Sequence, residues 1–127
     1  MVTWGPFASP PLMPHVLYIV TVDVAPPSEA DWTVWHTQHH MPEMLQQPGF
    51  IGARKYIEPS PLTDGWFRYV ILYELDSPGA LAAYEQSDAA RRLRADHVQR
   101  FGNVTRVARR VLHEVTGQAT RDPYEDL

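Results

Sequence analysis

Residues 66–76 read WFRYVILYELD, and this stretch decides the fold. Phe67, Tyr69, Ile71, Tyr73 and Leu75 fall on one parity of an extended chain, with Trp66, Val70 and Leu72 on the other. Aromatic and β-branched residues on both parities predict a strand buried on both faces. Immediately upstream, Pro59, Pro61 and Asp64-Gly65 mark a hairpin turn. FIGARKYIE over 50–58 alternates Phe50, Gly52, Arg54 and Tyr56 against Ile51, Ala53, Lys55 and Ile57, which makes it the other strand of the hairpin. Further back, HVLYIVTVDV over 15–24 is again apolar on both parities, through Val16, Tyr18, Val20 and Val22 and through Leu17 and Ile19.

A helix fills the gap between the first two strands. Ala25-Pro26-Pro27 stops the first, and Ser28 followed by Asp31 has the form of a capping box. Trp32, Trp35, His36 and His39 share one arc of the helical wheel, with Val34, Met41 and Leu45 nearly opposite. Pro42 cannot donate to the carbonyl of Gln38, a conflict of about 3 kcal/mol in a regular helix, so a kink or restart is expected there. Gln47-Pro48-Gly49 ends the element. Downstream of 66–76, Asp76-Ser77-Pro78 starts a short helix. Ser87-Asp88 caps a second one, whose apolar stripe is Ala90, Leu93, His97 and Phe101, closed by Gly102. VTRVARRVLHEVT over 104–116 is the last strand.

The order strand, helix, strand, strand, helix, strand is the ferredoxin-like βαββαβ unit, an α+β fold with a four-stranded antiparallel sheet and helices on one face. Residues 15–116 form this single domain, residues 1–14 an extended Pro-rich arm and residues 117–127 a polar C-terminal tail. Helices on one side leave the other apolar face bare, and a homodimer packed sheet against sheet covers it most simply.

Composition narrows the partners. A net charge of −4 and a pI near 5.8 supply no basic footprint, so nucleic acid is not an expected partner. The absence of cysteine removes thiolate nucleophiles, disulfides and Cys-based metal sites. The first fourteen residues lack the pattern of a signal peptide, and no run reaches the ~18 apolar residues of a membrane span. The expectation is a cytoplasmic protein with no membrane partner.

The run from Trp32, with His40-Met41-Pro42 and with Pro48-Gly49-Phe50 leading into Arg54 and Tyr56, resembles the small dimeric α+β barrel proteins of the EthD-like and antibiotic-biosynthesis-monooxygenase-like kind. The resemblance spans roughly residues 15–116. It implies a pocket between helices and sheet, in a superfamily of cofactor-independent oxygenases, polyketide cyclases, decarboxylases, lactone isomerases and haem-binding enzymes. Similarity to its His-x-Pro pattern makes His40 the first catalytic candidate.

Metal binding and acid–base work compete as readings of these histidines. His36 and His40 sit at i and i+4, but a helix separates His36 from Glu43 by about 10 Å along its axis, whereas a metal holds its ligands within ~2.2 Å. No metal and no cofactor is assigned. Histidine is the side chain poised for proton transfer near neutral pH, and His36 and His97 follow His40 as catalytic candidates. Trp32, Trp35, His39, Tyr56, Tyr69, Tyr73 and Tyr84 are candidates for lining a substrate pocket. Arg54, if inward, would hold an anionic oxygen; if outward, it is a surface charge. Arg91, Arg92, Arg94 and Arg100 read as a solvated helix face.

The reading is therefore an acid–base enzyme of the cyclase, isomerase, dehydratase or decarboxylase type, acting without a cofactor on a hydrophobic, aromatic or polyketide-like small molecule. Three alternatives stand beside it: a cofactor-free monooxygenase using the same base, a dimeric ligand or haem carrier, and a stress-associated interaction module.

Overall fold

β1 (Val16–Val24), β2 (Phe50–Ile57), β3 (Phe67–Leu75) and β4 (Thr105–His113) form one antiparallel sheet in the order β2, β3, β1, β4. The computed structural model describes residues 15–115. The expected arm over 1–14 and tail over 117–127 lie outside the described residues. The fold is α+β and ferredoxin-like, as the strand pattern predicts.

Between β1 and β2 the chain forms α1 (Glu29–Trp35), a π-helical turn over His36–His40 and α2 (Met41–Leu45). The expected break at Pro42 therefore lies one turn earlier and takes the form of a widened turn, in which the Met41 N–H reaches the carbonyl of His36. Pro42 then sits in the first turn of α2, where its missing N–H costs nothing. Ser28 does not cap α1: it is already in helical geometry at the end of a 3₁₀ turn, Pro26–Ser28, and its side chain makes no capping bond. Ser77 and Ser87 do cap α3 (Pro78–Glu85) and α4 (Asp88–Phe101), accepting from the N–H groups of Ala80 and Ala90.

Register assigns the faces of the sheet. Tyr18 stands between Tyr73 and Val111, Val20 between Ile71 and Arg109, and Val22 between Tyr69 and Val107. This face packs against Trp32, Met44, Leu81, Tyr84, Ala90 and Leu93 of the helices to make the core. Full burial of such side chains contributes about 1.5–3 kcal/mol each. A bulge between Phe50 and Gly52 shifts the phase of β2. Ala53, Lys55 and Ile57 share the helix face with Tyr73, Ile71 and Tyr69, while Arg54 and Tyr56 stand opposite Leu72 and Val70 on the far face.

No described helix packs in the core against that far face. Ile19 is only 6% exposed there, yet it lies outside the helix-side core, and Leu17, Val70 and Leu72 flank it. At one end of this face Arg68 holds Asp23 by two hydrogen bonds, 2.6 and 2.9 Å, and Arg106 adds a contact at 3.5 Å. At the other end His15 Nδ1 meets Glu74 at 2.7 Å.

Candidate functional site

The π turn sets the site. Widening by one residue turns His39 to solvent and leaves His36 and His40 stacked, their ring centroids 5.2 Å apart. His36 is 3% exposed and also stacks on Trp32 at 4.5 Å. His97 approaches from α4, its ring 6.2 Å from that of His40, and its Nε2 accepts a hydrogen bond from the indole N–H of Trp32 at 3.0 Å. Because that nitrogen accepts, neutral His97 carries its proton on Nδ1.

These three imidazoles share a cavity of about 40 Å³ between sheet and helices, room for about three water-sized groups. Tyr18, Val20 and Val22 of β1, Tyr73 of β3 and Val107 and Arg109 of β4 form its floor. His36, His40, Met44, Tyr84, Leu93, Arg94 and His97 form its walls.

Burial keeps the imidazoles uncharged. It pushes His36 down to about 2, helped by the charge of Lys55 and by the repulsion an imidazolium would meet from a protonated His40 or His97. His40 is pushed down to about 4, first by burial and then by His97, with Arg109 adding to this against the opposing pull of Glu43 and Asp96. His97 is lowered by burial and by Arg109. The same burial raises the Tyr73 phenol far above its ordinary value and Tyr84 to about 12, so both remain hydrogen-bond donors. Tyr84 donates to the sulfur of Met44 at 3.1 Å. In contrast, His36 Nδ1, His40 Nδ1 and the Tyr73 hydroxyl are buried with no partner.

The sequence-predicted residues divide accordingly. His36, His40, His97, Tyr73 and Tyr84 meet at the cavity. Trp32, Trp35 and Tyr69 stand behind its wall: Trp32 is fully buried, Trp35 packs on His40, His97 and Phe101, and the Tyr69 hydroxyl bonds Glu29. His39 faces solvent because of the π turn. Arg54 and Tyr56 are on the far face because of the bulge, so neither reaches the cavity. Arg94, read as part of a solvated face, is instead a cavity residue. Its signal was present in the sequence, since Ala90, Arg94, His97 and Phe101 recur at helical spacing. Arg109 was equally legible, alternating with Val107 and Val111. Lys55, given no role by the sequence, takes the inward place that Arg54 would have needed to meet an anion; its amine lies 4.7 Å over Trp32 and burial lowers it to about 8. Among the described residues no three His, Asp or Glu side chains are placed to share a metal ion.

Comparison with known proteins agrees with this architecture. Residues 15–115 match the family described as Domain of unknown function (DUF4286). No curated protein matches the chain. Among solved structures, an EthD-family protein from Bacillus halodurans is 13% identical with a TM-score of 0.60, over 79% of this chain and 99% of that one. A candidate antibiotic-biosynthesis monooxygenase from Bacillus cereus is 15% identical with a TM-score of 0.58, over 84% of this chain and 99% of that one. HapK from Hahella chejuensis is 12% identical with a TM-score of 0.58, over 84% and 99%. At such identities the likeness is one of fold.

Proposed function

The chain belongs to the DUF4286 domain family, and we propose that its cavity is the active site of a cofactor-independent acid–base enzyme acting on a small carbonyl compound. One observation carries this reading: the Nδ1 atoms of His36 and His40 and the hydroxyl of Tyr73 are buried without partners at one cavity. Leaving a buried polar group unpaired costs about 1–3 kcal/mol, and a substrate that supplies the missing partners recovers it.

The roles follow from geometry and charge. His40 is the proton-transfer group, because it is less depressed than His36 and less committed than His97, whose Nε2 is engaged by Trp32. His36 supports it from behind by stacking. Tyr73, held as a neutral phenol, donates to the oxyanion that forms when a carbon next to a carbonyl loses its proton. Isomerisation, cyclisation and dehydration draw on that step, and decarboxylation reaches the same enolate by loss of CO₂, after which the carbon takes up a proton. A cavity of about 40 Å³ admits a small molecule, or the reacting end of an aromatic or polyketide-like one, and it does not fit a haem macrocycle. A sheet-to-sheet homodimer over the bare far face completes the proposal, with residues 15–116 as one domain.

The test is proton exchange at carbon. Wild-type protein in D₂O should accelerate loss of the methyl and methylene proton signals of pyruvate and 2-butanone, and His40→Gln should not. Equal exchange with wild type and variant for every ketone tried would remove the acid–base reading. The candidate-monooxygenase name of the Bacillus cereus neighbour favours a second reading, in which the same carbanion is captured by O₂. Oxygen consumption coupled to substrate loss separates the two.

A further inference from the structure

Two guanidinium groups reach the cavity from different sides, Arg94 from the α4 wall and Arg109 from the β4 floor, where it stands beside Val20. Arg94 Nη2 donates to the phenol of Tyr18 at 3.2 Å. Among the described residues neither arginine forms an ion pair with a carboxylate. Glu43 and Asp96, the carboxylates whose charge acts on His40, are engaged elsewhere, with Arg92 and with Arg100, each at 2.9 Å. The remaining polar groups of the cavity cannot neutralise two cations either, since its imidazoles and its buried phenols are uncharged. A small cavity bordered by two guanidiniums, Arg94 half-buried and Arg109 exposed, with neither paired to a carboxylate among the described residues, is complementary to an anionic oxygen, which arginine binds with directed, charge-assisted hydrogen bonds.

We propose that the ligand of this cavity is a small organic mono-anion of the keto-acid class, its charged oxygens held between Arg94 and Arg109 and its carbonyl end directed at His40 and Tyr73. This deepens the acid–base reading and rests on the same cavity. It also gives Arg109 a second effect. That charge is among those holding His40 low, and a seated anion cancels it, so the imidazole becomes a stronger base once the ligand is in place.

The experiment reads binding rather than turnover. Pyruvate and propionate, with pyruvamide and propionamide as uncharged counterparts, are titrated into wild-type protein, Arg94→Gln, Arg109→Gln and the far-face control Arg110→Gln, with the imidazole nitrogen shifts of His36, His40 and His97 as the signal. Arg94→Lys is included to keep a charge at that position if the glutamine variant folds poorly. Wild type should bind each acid at least about tenfold more tightly than its amide. Each glutamine variant should lose about tenfold on the acids and little on the amides, and Arg110→Gln should match wild type. Amides bound as tightly as acids, acid affinity unchanged in both glutamine variants, or no acid moving the imidazole signals would each overturn the proposal. Anion binding without carbon–hydrogen exchange would instead remove the acid–base reading and leave the anion site standing; exchange of 2-butanone as fast as that of pyruvate, with no carboxylate binding, would do the reverse.

Discussion

The indole nitrogen of Trp32 donates to Nε2 of His97 at 3.0 Å, joining α1 to α4 across sixty-five positions of sequence. An imidazolium would place a second N–H against that donor, so the bond itself opposes protonation of His97. Trp32→Phe removes the donor while keeping an aromatic ring in the core. The histidine should then titrate closer to its ordinary value of 6.5, from below, and stability should fall by about 1–2 kcal/mol. Nuclear magnetic resonance titration of the His97 ring reads the shift, and an unmoved titration would show that burial and the charge of Arg109 set it without the bond.

Stability should depend on acid in a defined window. His36 and His40 titrate in the folded protein near 2 and near 4, against an ordinary value of 6.5. Below 6.5 the unfolded chain binds protons that the folded one refuses, so stability is full above that value and is lost as pH falls. The loss should approach about 1.4 kcal/mol per pH unit for each histidine between its unfolded and folded values. Replacing His36 with Phe should flatten the acid limb in chemical denaturation carried out at successive pH values. Parallel curves for variant and wild type would mean that His36 is not buried in its neutral form.

Tyr73→Phe separates function from packing. The hydroxyl it removes has no partner, so unfolding free energy should stay within about 0.5 kcal/mol of wild type or rise. Exchange at carbon should nonetheless fall by about tenfold or more. A stability loss with intact exchange would assign Tyr73 to the core alone.

Gly49 has φ +86°, and a Cβ there would overlap the Cβ of Ala80. Gly49→Ala should cost about 2–4 kcal/mol. Pairing it with Ala80→Gly should recover the steric part and leave the backbone strain, about 1 kcal/mol. Thermal or chemical unfolding of the two single variants and the double gives the partition directly.

Leu72→Arg puts a charge on the far face without touching the helix-side core. Wild type should sediment as a dimer and the variant as a monomer, with the imidazole signals of the cavity unchanged. A monomeric wild type would remove the sheet-to-sheet homodimer.

Much of this was legible in the sequence because periodicity and punctuation agree. Both parities of WFRYVILYELD are apolar, prolines and glycines fall between elements, and two serines cap the helices they precede. The residues that moved did so because of insertions of a single position. In β2, Phe50 is in the core, and strict alternation from it points Arg54 and Tyr56 inward; the bulge after Phe50 reverses that phase and gives the inward place to Lys55. In the first helix, the π turn adds one residue and removes His39 from the arc of His36. The bulge has a signal in Gly52, a lone glycine inside a strand pattern, whereas the composition of the π turn itself does not reveal it. Pro42 shows that a helix is disturbed, but not that the disturbance takes the form of a wider turn.

Because β4 lies at the edge of the sheet and pairs with β1, the floor of the cavity is made from segments about ninety residues apart. During synthesis β1 has no partner on that side until residues 105–113 have left the ribosome. The hairpin of β2 and β3 and all the helices can be present before Arg109 exists. Assembly of the β4 side of that floor is thus the last event available to the domain, and a chain halted before β4 would carry all three histidines of the cavity while lacking Arg109, one of the two cations that border it.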